Sequence, residues 1–442
     1  MEMRELVSES MEQTVSPIKG LSGECDLPGH PELSMMALAL SAKAEGTSII
    51  RRCSRRPEVK TLAGHLAQIG ITVGWEAEEA RVTGGVLQAS NGAFDVGRSE
   101  VLFGCLAGLA AGADLRLTFE GSPAVETGVK PVLEALQSFG ARFTPSFESV
   151  FPVESGSSKL RPGSFGAGRP SAAVKTAVFL ATLDVGGEIE LLQEAAGEED
   201  LEVLLKAAGG DLRKARVQGG EGYRLVLSGP VSVQATEQDL PGDPDVALFL
   251  LFAASMHKTS DVTLLGVGND WKTRRLLDLL RRMNAQIEIK VTRSASGFST
   301  RIVRATGSEL RRTKVSGEQS SLFLDEIPVL AVMGARAAGE TVIRDARALR
   351  DGPNDCLALM AKNLRKMQVR VGEITDGLVV QGGRTLRGAD VDGGGDSRVT
   401  LALTLAGLVA EGETKIKNPG PVDRDYPGVL DRLLSLSEKR GE

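Results

Sequence analysis

The chain has 442 residues, of which 42% are hydrophobic and 4% aromatic, and its 52 basic and 58 acidic side chains give a net charge of −6. This length suits two domains with an aliphatic core, and the lack of a cationic excess excludes a general polyanion binder. Four cysteines, none in a CxxC, and three histidines supply no zinc-binding set, so we expect reduced thiols and no metal site.

The N-terminal stretch MEMRELVSESMEQTVSPIK lacks the apolar core of a signal peptide. No apolar run approaches the roughly 18 residues that a membrane-spanning helix needs. We therefore expect a cytoplasmic protein that binds neither membranes nor nucleic acid.

Six similar strands of alternating apolar residues recur along the chain at intervals of roughly 65 to 80 residues. In chain order they are EGTSII at Glu45, GADLRLTF at Gly112, GGEIELL at Gly186, TSDVTLL at Thr259, GETVIRDA at Gly339 and GETKIKNP at Gly412. A helix rich in Ala, Leu and Gly is predicted before each strand. It is apolar almost all round, so we expect it to be buried. After most strands an amphipathic helix with apolar residues at i, i+3, i+4 and i+7 is predicted, which should lie nearer the surface.

The repetition predicts an α/β (α+β) fold of six strand-helix-strand-helix-strand units, arranged as two lobes of three. The last unit ends early, and we expect the N-terminal segment VSPIKGLSGECDL to supply its missing strand. Lobe 1 would then comprise residues 1–27 plus 243–442, and lobe 2 residues 28–242. The similar tetrapeptides LPGH at Leu27 and LPGD at Leu240 are the predicted hinge strands. A cleft between the lobes is the default place for a ligand.

The sixfold repeat, the Pro-Gly-opened helix at Pro28 and the closing segment AGLVAEGETKIKNPGPVDRDYPGVLDRL resemble the 5-enolpyruvylshikimate-3-phosphate (EPSP) synthase family over essentially the whole chain. UDP-N-acetylglucosamine enolpyruvyl transferase, which shares the fold, is the second relative. The resemblance implies a pair of inverse αβ barrels and a cytoplasmic monomer without metal or cofactor. It also implies transfer of the enolpyruvyl group of phosphoenolpyruvate (PEP) to shikimate 3-phosphate, with release of phosphate.

This chain departs from the family's motifs for the two substrates. In PGDKSxSxR, whose Lys contacts both substrates and whose Ser and Arg hold the shikimate part, this chain has Pro31, Glu32 and Met36 at those three positions. The PEP-cradling motif GNAGTxxR reads GRSEVLFG, so Gly104 replaces the Arg, and a carboxylate at Glu100 would repel PEP.

Further replacements affect the later motifs. Thr127 stands at the Arg of RP[IM], and in SSQFxSALL Ser171 is kept while Ala172 and Ala173 replace the second Ser and the Gln. RVKESDR reads RDGPNDC, in which residues 352, 353 and 356 replace the Lys, Glu and Arg.

At three functional positions this chain has the same side-chain charge as the family. Asp325, in FLDEIPVLA, stands where the family has its proton-handling aspartate. Arg398, in DSRVTL, keeps the Arg of DHRMAM although Ser397 replaces the His, and Arg424 replaces the late Lys.

The lost cations, at positions 31, 36, 104, 127, 352 and 356, are decisive for the expected activity. Each charge-assisted hydrogen bond is worth roughly 1.5–3 kcal/mol, so six losses remove on the order of 10 kcal/mol. That corresponds to many decades in rate, and we do not expect normal EPSP synthase activity.

The candidate site residues follow from the resemblance. Asp325 is the candidate catalytic acid or base, and the candidate substrate-binding residues are Arg398, Arg424, Ser171, Lys175 and Arg98. The alternative for Asp325 is that an acidic residue merely favours a helix start, and for the two late arginines it is structural salt bridging. Arg98, Arg169 and Lys175 could form a differently shaped anion pocket. The run RRCSRRPE at Arg51 is either a new anion site or a solvated charged face.

Three functional hypotheses remain open. The first is an enzyme repurposed to a different small anionic substrate, with Asp325, Arg398 and Arg424 in its site. The second is a non-catalytic pseudoenzyme that acts as a binding or scaffold protein. The third is a divergent, weak EPSP synthase.

Overall fold

The computed structural model describes residues 12–145, 150–166, 170–193, 200–217, 222–351 and 354–439. The chain divides into two compact units. Unit 1 comprises Met1–Leu27, Gly242–Thr292 and Thr300–Glu442, and unit 2 comprises Pro28–Pro241 and Arg293–Ser299. The lobe boundaries predicted from the sequence stay predictions, and they differ from these units at residue 242 and at residues 293–299.

The described helices are, in chain order, α1 (Pro31–Ser41), α2 (Pro57–Gln68), α3 (Glu100–Gly112), α4 (Glu126–Ser138), α5 (Ala172–Thr182), α6 (Asp200–Ala207), α7 (Pro244–Met256), α8 (Trp271–Arg282), α9 (Glu318–Leu322), α10 (Ile327–Arg336), α11 (Cys356–Lys366), α12 (Ser397–Val409), α13 (Val422–Asp425) and α14 (Val429–Leu436). A 3₁₀ turn, Leu324–Glu326, precedes α10. Within the described ranges, no helix is long and apolar enough to cross a membrane.

The described strands are, in chain order, β1 (Glu12–Val15), β2 (Ile18–Asp26), β3 (Thr47–Arg51), β4 (Thr72–Glu76), β5 (Glu79–Thr83), β6 (Ala93–Asp95), β7 (Thr118–Glu120), β8 (Arg142–Pro145), β9 (Val153–Gly156), β10 (Gly163–Gly166), β11 (Gly187–Gln193), β12 (Asp211–Arg216), β13 (Tyr223–Gly229), β14 (Glu237–Asp239), β15 (Asp261–Gly268), β16 (Gln286–Arg293), β17 (Ser299–Thr306), β18 (Lys314–Val315), β19 (Glu340–Ile343), β20 (Arg370–Ile374), β21 (Gly377–Gln381), β22 (Asp390–Asp392), β23 (Thr414–Lys417) and β24 (Ser437–Lys439).

The strands form small sheets that repeat one pattern. Unit 2 contains the orders β14-β3-β5-β4, β6-β7-β9-β8 and β10-β11-β13-β12, and unit 1 contains β18-β19-β21-β20, β1-β23-β22 and β16-β17-β15-β2-β24. In the first four of these sheets the strand after the apolar helix pairs in parallel with one neighbour and antiparallel with a following strand. The parallel neighbour precedes it in the chain in three of these sheets, whereas the parallel neighbour of β3 is β14, which follows it. Each strand of the predicted sixfold repeat is present, which confirms the repeat.

The N-terminal segment serves two sheets rather than one. The strand that completes the last sheet is β1, which pairs antiparallel with β23 from Glu12 opposite Lys417 to Val15 opposite Thr414. Most of the segment predicted for this role forms β2 instead, which pairs in parallel with β15 and antiparallel with β24. Both ends of the described chain therefore lie in unit 1.

One apolar helix of each repeat lies in the core of its unit. Helices α1, α3 and α5 in unit 2 and α7, α10 and α12 in unit 1 bury nearly all of their side chains. Helices α4 and α8 are amphipathic and bury one face, as their apolar periodicity predicts.

Helices α3 and α5 pack with their backbones in contact, because small residues recur on both at a spacing of four. A Cβ at Gly104 would lie 2.6 Å from the carbonyl oxygen of Ala173, and one at Gly108 would lie 2.7 Å from that of Ala177. Side chains cannot occupy that space. Since the pairs run in the same order along both helices, the helices are parallel and their N-termini lie at the same end of unit 2.

Candidate functional site

Aspartate side chains cap the start of several helices in unit 1. Asp243, Asp270, Asp355 and Asp396 accept hydrogen bonds from the backbone N–H groups that open α7, α8, α11 and α12. These carboxylates satisfy donors that a helix start leaves free, and they suit the positive end of the helix dipole.

The two central candidates, Asp325 and Arg398, are bonded to each other. Arg398 Nη1 donates to Asp325 Oδ1 at 3.0 Å, while Arg398 Nη2 and Nε donate to the two oxygens of Asp396 at 2.7 and 3.1 Å. The Asp325 side chain is 52% exposed and that of Asp396 only 17%. One guanidinium is therefore shared by two carboxylates, of which Asp325 is the more easily displaced.

Electrostatics favour the charged state of the inner pair. Burial alone would raise the pKa of Asp396, but the hydrogen bonds and charge of Arg398, with two backbone N–H groups, hold that pKa below its usual value. Arg398 is consequently held by Asp396 over the whole neutral pH range.

A buried ionic cluster lies nearby, and the sequence analysis did not identify it. Lys272 Nζ lies 2.8 Å from Asp245 Oδ1 and 2.7 Å from Glu326 Oε1. The Glu326 side chain is 1% exposed, and no hydrogen bond reaches its Oε2 from the described part of the chain. The sequence offered one indication of this cluster, which is that Glu326 directly follows the candidate Asp325. Its partners Lys272 and Asp245 belong to α8 and α7, which begin far upstream at Trp271 and Pro244.

Burial dominates the titration of this cluster. It raises the pKa of Glu326 to about 8, with Asp245 and Asp325 adding to the rise and Lys272 opposing it. Burial would lower the pKa of Lys272, but Asp245, Glu326 and Asp325 together raise it well above its usual value. At neutral pH the cluster thus holds a charged lysine beside a protonated Glu326.

Arg424 is connected to the same region through one intermediate residue. Its Nε donates to Asp425 Oδ1 at 2.8 Å, and Asp425 Oδ2 accepts from Ser397 Oγ at 2.6 Å. Ser397 directly precedes Arg398. The Arg424 side chain is 66% exposed, so its guanidinium is open to a ligand from the solvent.

The unit 2 candidates lie near the starts of α3 and α5. Ser171 caps α5 by accepting a hydrogen bond from the Val174 N–H at 3.4 Å. Arg98 is exposed just before α3. Lys175 is buried and lines a cavity of about 30 Å³ together with His30 and Glu32, among others. That volume has room for one or two water molecules and is too small for a substrate.

Two of the positions predicted to depart from the family motifs are closely packed. Gly104 faces the backbone of α5, so a longer side chain has no room there. The side chain of Glu100 lies against Gly128 of α4, and burial raises the Glu100 pKa.

The remaining replaced positions are apolar or lie outside the described chain. Pro31 and Met36 are buried in α1, while Glu32 is exposed. The Cys356 thiol is buried, and burial raises its pKa to about 12, which leaves it protonated and unreactive at neutral pH. Arg169, Gly352 and Pro353 lie outside the described residues.

The basic run that begins at Arg51 is paired within its own unit. Arg51 contacts Glu237 at 2.9 Å, Arg52 contacts Asp239 at 2.8 Å, and the Arg55 guanidinium stacks on Trp75 at 4.3 Å from the ring centroid. These partners favour the interpretation as a solvated charged face over that of an anion site.

Comparison with known proteins decides the ancestry. The model of the family described as EPSP synthase (3-phosphoshikimate 1-carboxyvinyltransferase) matches residues 15–433. The chain belongs to the EPSP synthase family. It is 32% identical over 434 residues to the 3-phosphoshikimate 1-carboxyvinyltransferase of Herpetosiphon aurantiacus, covering 97% of this chain and 100% of the relative. It is 30% identical over 432 residues to that of Desulforamulus reducens, covering 96% and 99%.

Solved structures confirm the fold of this EPSP synthase family member. The EPSP synthase of Acinetobacter baumannii superposes with a TM-score of 0.81 at 22% identity, covering 97% of this chain and 98% of that one. The enolpyruvyl transferase NikO of Streptomyces tendae superposes with a TM-score of 0.73 at 20% identity, covering 96% and 97%. The enolpyruvyl transferase fold implied by the resemblance is therefore present.

Proposed function

We propose that this member of the EPSP synthase family has lost efficient enolpyruvyl transfer from PEP to shikimate 3-phosphate and acts on a different small anionic substrate. The observation that carries the proposal is the lack of cationic side chains at replaced motif positions: Pro31 and Met36 are buried in α1, and Gly104 faces the backbone of α5. A dianionic phosphate would lose its charge-assisted hydrogen bonds at these positions.

The filled positions in unit 2 support the same conclusion. Backbone contact at Gly104 leaves no room for the arginine of the family motif, and Glu100 places a carboxyl group against Gly128, the residue after Thr127. A single substitution back to the family residue would therefore not restore a binding group.

The chemistry we propose is an exchange at Arg398. A substrate carboxylate displaces the half-exposed Asp325 from the guanidinium, while Asp396 keeps the guanidinium in place. The freed Asp325 carboxylate then accepts a proton from the bound substrate. Exposed Arg424 holds a second anionic group. We further propose that the protein works in the cytoplasm as a monomer without a cofactor, as the family resemblance implies.

A non-catalytic binding protein is the second candidate. It is favoured by the same ion pair, because Asp325 and Arg398 satisfy each other without any ligand. Turnover separates the two candidates: both predict ligand binding at Arg398, and only the enzyme predicts a reaction that Asp325→Asn abolishes.

The exchange is tested by removing Asp325 and measuring the binding of malonate, a dicarboxylate probe, by calorimetry. Asp325→Ala should bind malonate about tenfold more tightly than the wild type, because Arg398 loses one competing carboxylate. Asp390→Ala, which removes an exposed carboxylate elsewhere in unit 1, is the control and should leave the affinity unchanged. Equal affinities of the wild type and Asp325→Ala would contradict the exchange.

A further inference from the structure

A groove of about 640 Å³ lies on the sheet β18-β19-β21-β20 of unit 1. Strand pairing brings Glu340, Gln381 and Arg370 side by side on the lined face, and Gly372 lies opposite Val379 in the next row. Such a volume is in the range of small-molecule sites.

Three guanidinium groups line this groove. Arg365, in the last turn of α11, is fixed because its Nε and Nη2 donate to the Val371 carbonyl oxygen at 3.1 and 3.0 Å. Arg370 and Arg384 are exposed, and no carboxylate of the described chain forms an ion pair with either of them. Fixed donors lower the ordering cost of binding an anion.

Some exposed arginines of this protein form ion pairs. Arg304 lies 2.7 Å from Asp261, Arg213 lies 3.0 Å from Glu188, and Arg387, three residues after Arg384, contacts Glu411. Arg387 is therefore a matched, paired control for Arg370 and Arg384 in the same unit.

The charge of the lining selects the ligand class. Three arginines and one glutamate, Glu340, line the groove, so its formal charge is +2, although the whole chain has a net charge of −6. A phosphate monoester carries close to −2 at neutral pH and presents the oxygens that guanidinium forks bind in pairs. A monocarboxylate would leave one cation unbalanced.

The floor of the groove admits an apolar group beside the phosphate. Gly372 has no side chain, and a Cβ there would lie 3.7 Å from the Val379 Cβ, in ordinary contact. A flat group can therefore rest on Gly372 and Val379 next to the row of polar residues.

We propose that this groove is a binding site for a small phosphate monoester, whose phosphate lies among Arg365, Arg370 and Arg384 and whose apolar part covers Gly372 and Val379. The site belongs to unit 1 and is built from residues other than those of the Asp325–Arg398 site. Its experimental test is therefore independent of the proposed function.

The test is titration of the full-length protein with phenyl phosphate at pH 7.5, followed by calorimetry and by the NMR signal of the Gly372 amide. We expect saturable binding, with shifts centred on Gly372. The double variant Arg370→Ala/Arg384→Ala should weaken binding at least about tenfold. Arg387→Ala, which removes a nearby paired arginine, should leave it unchanged.

Two further arms complete the design. Benzoate, which shares the ring but carries a single charge, should bind at least about tenfold more weakly than phenyl phosphate. Arg398→Ala should retain full binding of phenyl phosphate. The proposal is overturned if the wild type shows no saturable binding, if the double variant binds like the wild type, or if Arg398→Ala abolishes the binding.

Discussion

Asp396 performs two tasks at the start of α12, since it caps the helix and holds Arg398 through two hydrogen bonds. Two substitutions of Asp396 distinguish its role as a helix cap from its role as the ion-pair partner of Arg398. Asp396→Asn keeps a capping side chain and loses the charge, so the free energy of unfolding should fall by about 1.5 kcal/mol. Asp396→Ala loses both and should cost about 2.5 kcal/mol.

Urea unfolding of both variants against the wild type measures the difference. Asp390→Asn, on an exposed strand residue, serves as the control and should stay close to the wild type. Equal losses for the Asn and Ala variants would show that the charge of Asp396, rather than the cap, accounts for the whole effect.

Lys272 Nζ forms ion pairs with Asp245 and Glu326 in this buried cluster. Lys272→Met should lower the free energy of unfolding by about 3–5 kcal/mol, because a buried ion pair loses its cation. Adding Glu326→Gln should recover part of that loss at about pH 9, where the wild-type Glu326 is charged beside Lys272 and that charge has no cation in Lys272→Met. Unfolding by urea is the measurement, and an additive double variant would contradict the coupling.

Glu326 gives this protein a specific pH dependence. In the folded chain the Glu326 carboxyl holds its proton with a pKa of about 8, whereas in the unfolded chain it releases the proton near the ordinary glutamate pKa of 4.5. Between these values the folded state binds more protons than the unfolded state, so the free energy of unfolding falls as pH rises from about 4.5 towards 8. The groups that surround Glu326 and set this shift are Lys272, Asp245 and Asp325.

Glu326→Gln should flatten this part of the stability profile. Its unfolding midpoint should match the wild type near pH 5 and exceed it at pH 8.5. The measurement is thermal unfolding from pH 5 to 9, and parallel profiles of the two proteins would contradict the assignment of the proton to Glu326.

At the scale of elements, the contact between α3 and α5 depends on glycine. Gly108→Ala would place a Cβ 2.7 Å from the Ala177 carbonyl oxygen and should cost about 1–3 kcal/mol by overpacking. Gly64→Ala in α2 is the matched control, because nothing lies within 4 Å of its added Cβ. The control should stabilise by about 0.5–1 kcal/mol, as helix propensity predicts. Destabilisation of equal size in both variants would contradict the packing account.

The elements themselves were largely predictable from the sequence. The periodicity of the six apolar helices and of the strands that follow them is local, and both were found where they were predicted. The role of the N-terminal segment was only partly predicted, because strand pairing between β2 and β15 joins residues more than 200 positions apart, from 26 to 261. No local sequence pattern indicates whether such a strand pairs with β15 or with β23.

At the scale of the whole molecule, the sequence identified the family and predicted the loss of cations, but it did not predict the contacts around those positions. The bond between Asp325 and Arg398 joins residues 73 positions apart, and the cluster at Lys272 joins three separate elements. Tertiary packing decides which charged side chains meet. Comparison of motifs therefore identifies Asp325 and Arg398 as candidate residues but does not show that they form an ion pair with each other. The same holds for Gly104, whose close contact with the backbone of α5 could not be predicted from the sequence.

The central claim is that an EPSP synthase fold persists here without the family's substrate pair. Thermal unfolding with shikimate 3-phosphate, with PEP and with both together tests it most directly, because ligands that bind only the folded state raise its stability in proportion to their affinity. The Herpetosiphon aurantiacus relative serves as the positive control. We predict no stabilisation by the pair beyond that by either ligand alone, and no release of phosphate. A large stabilisation seen only with both ligands, accompanied by phosphate release at the rate of the relative, would contradict the account.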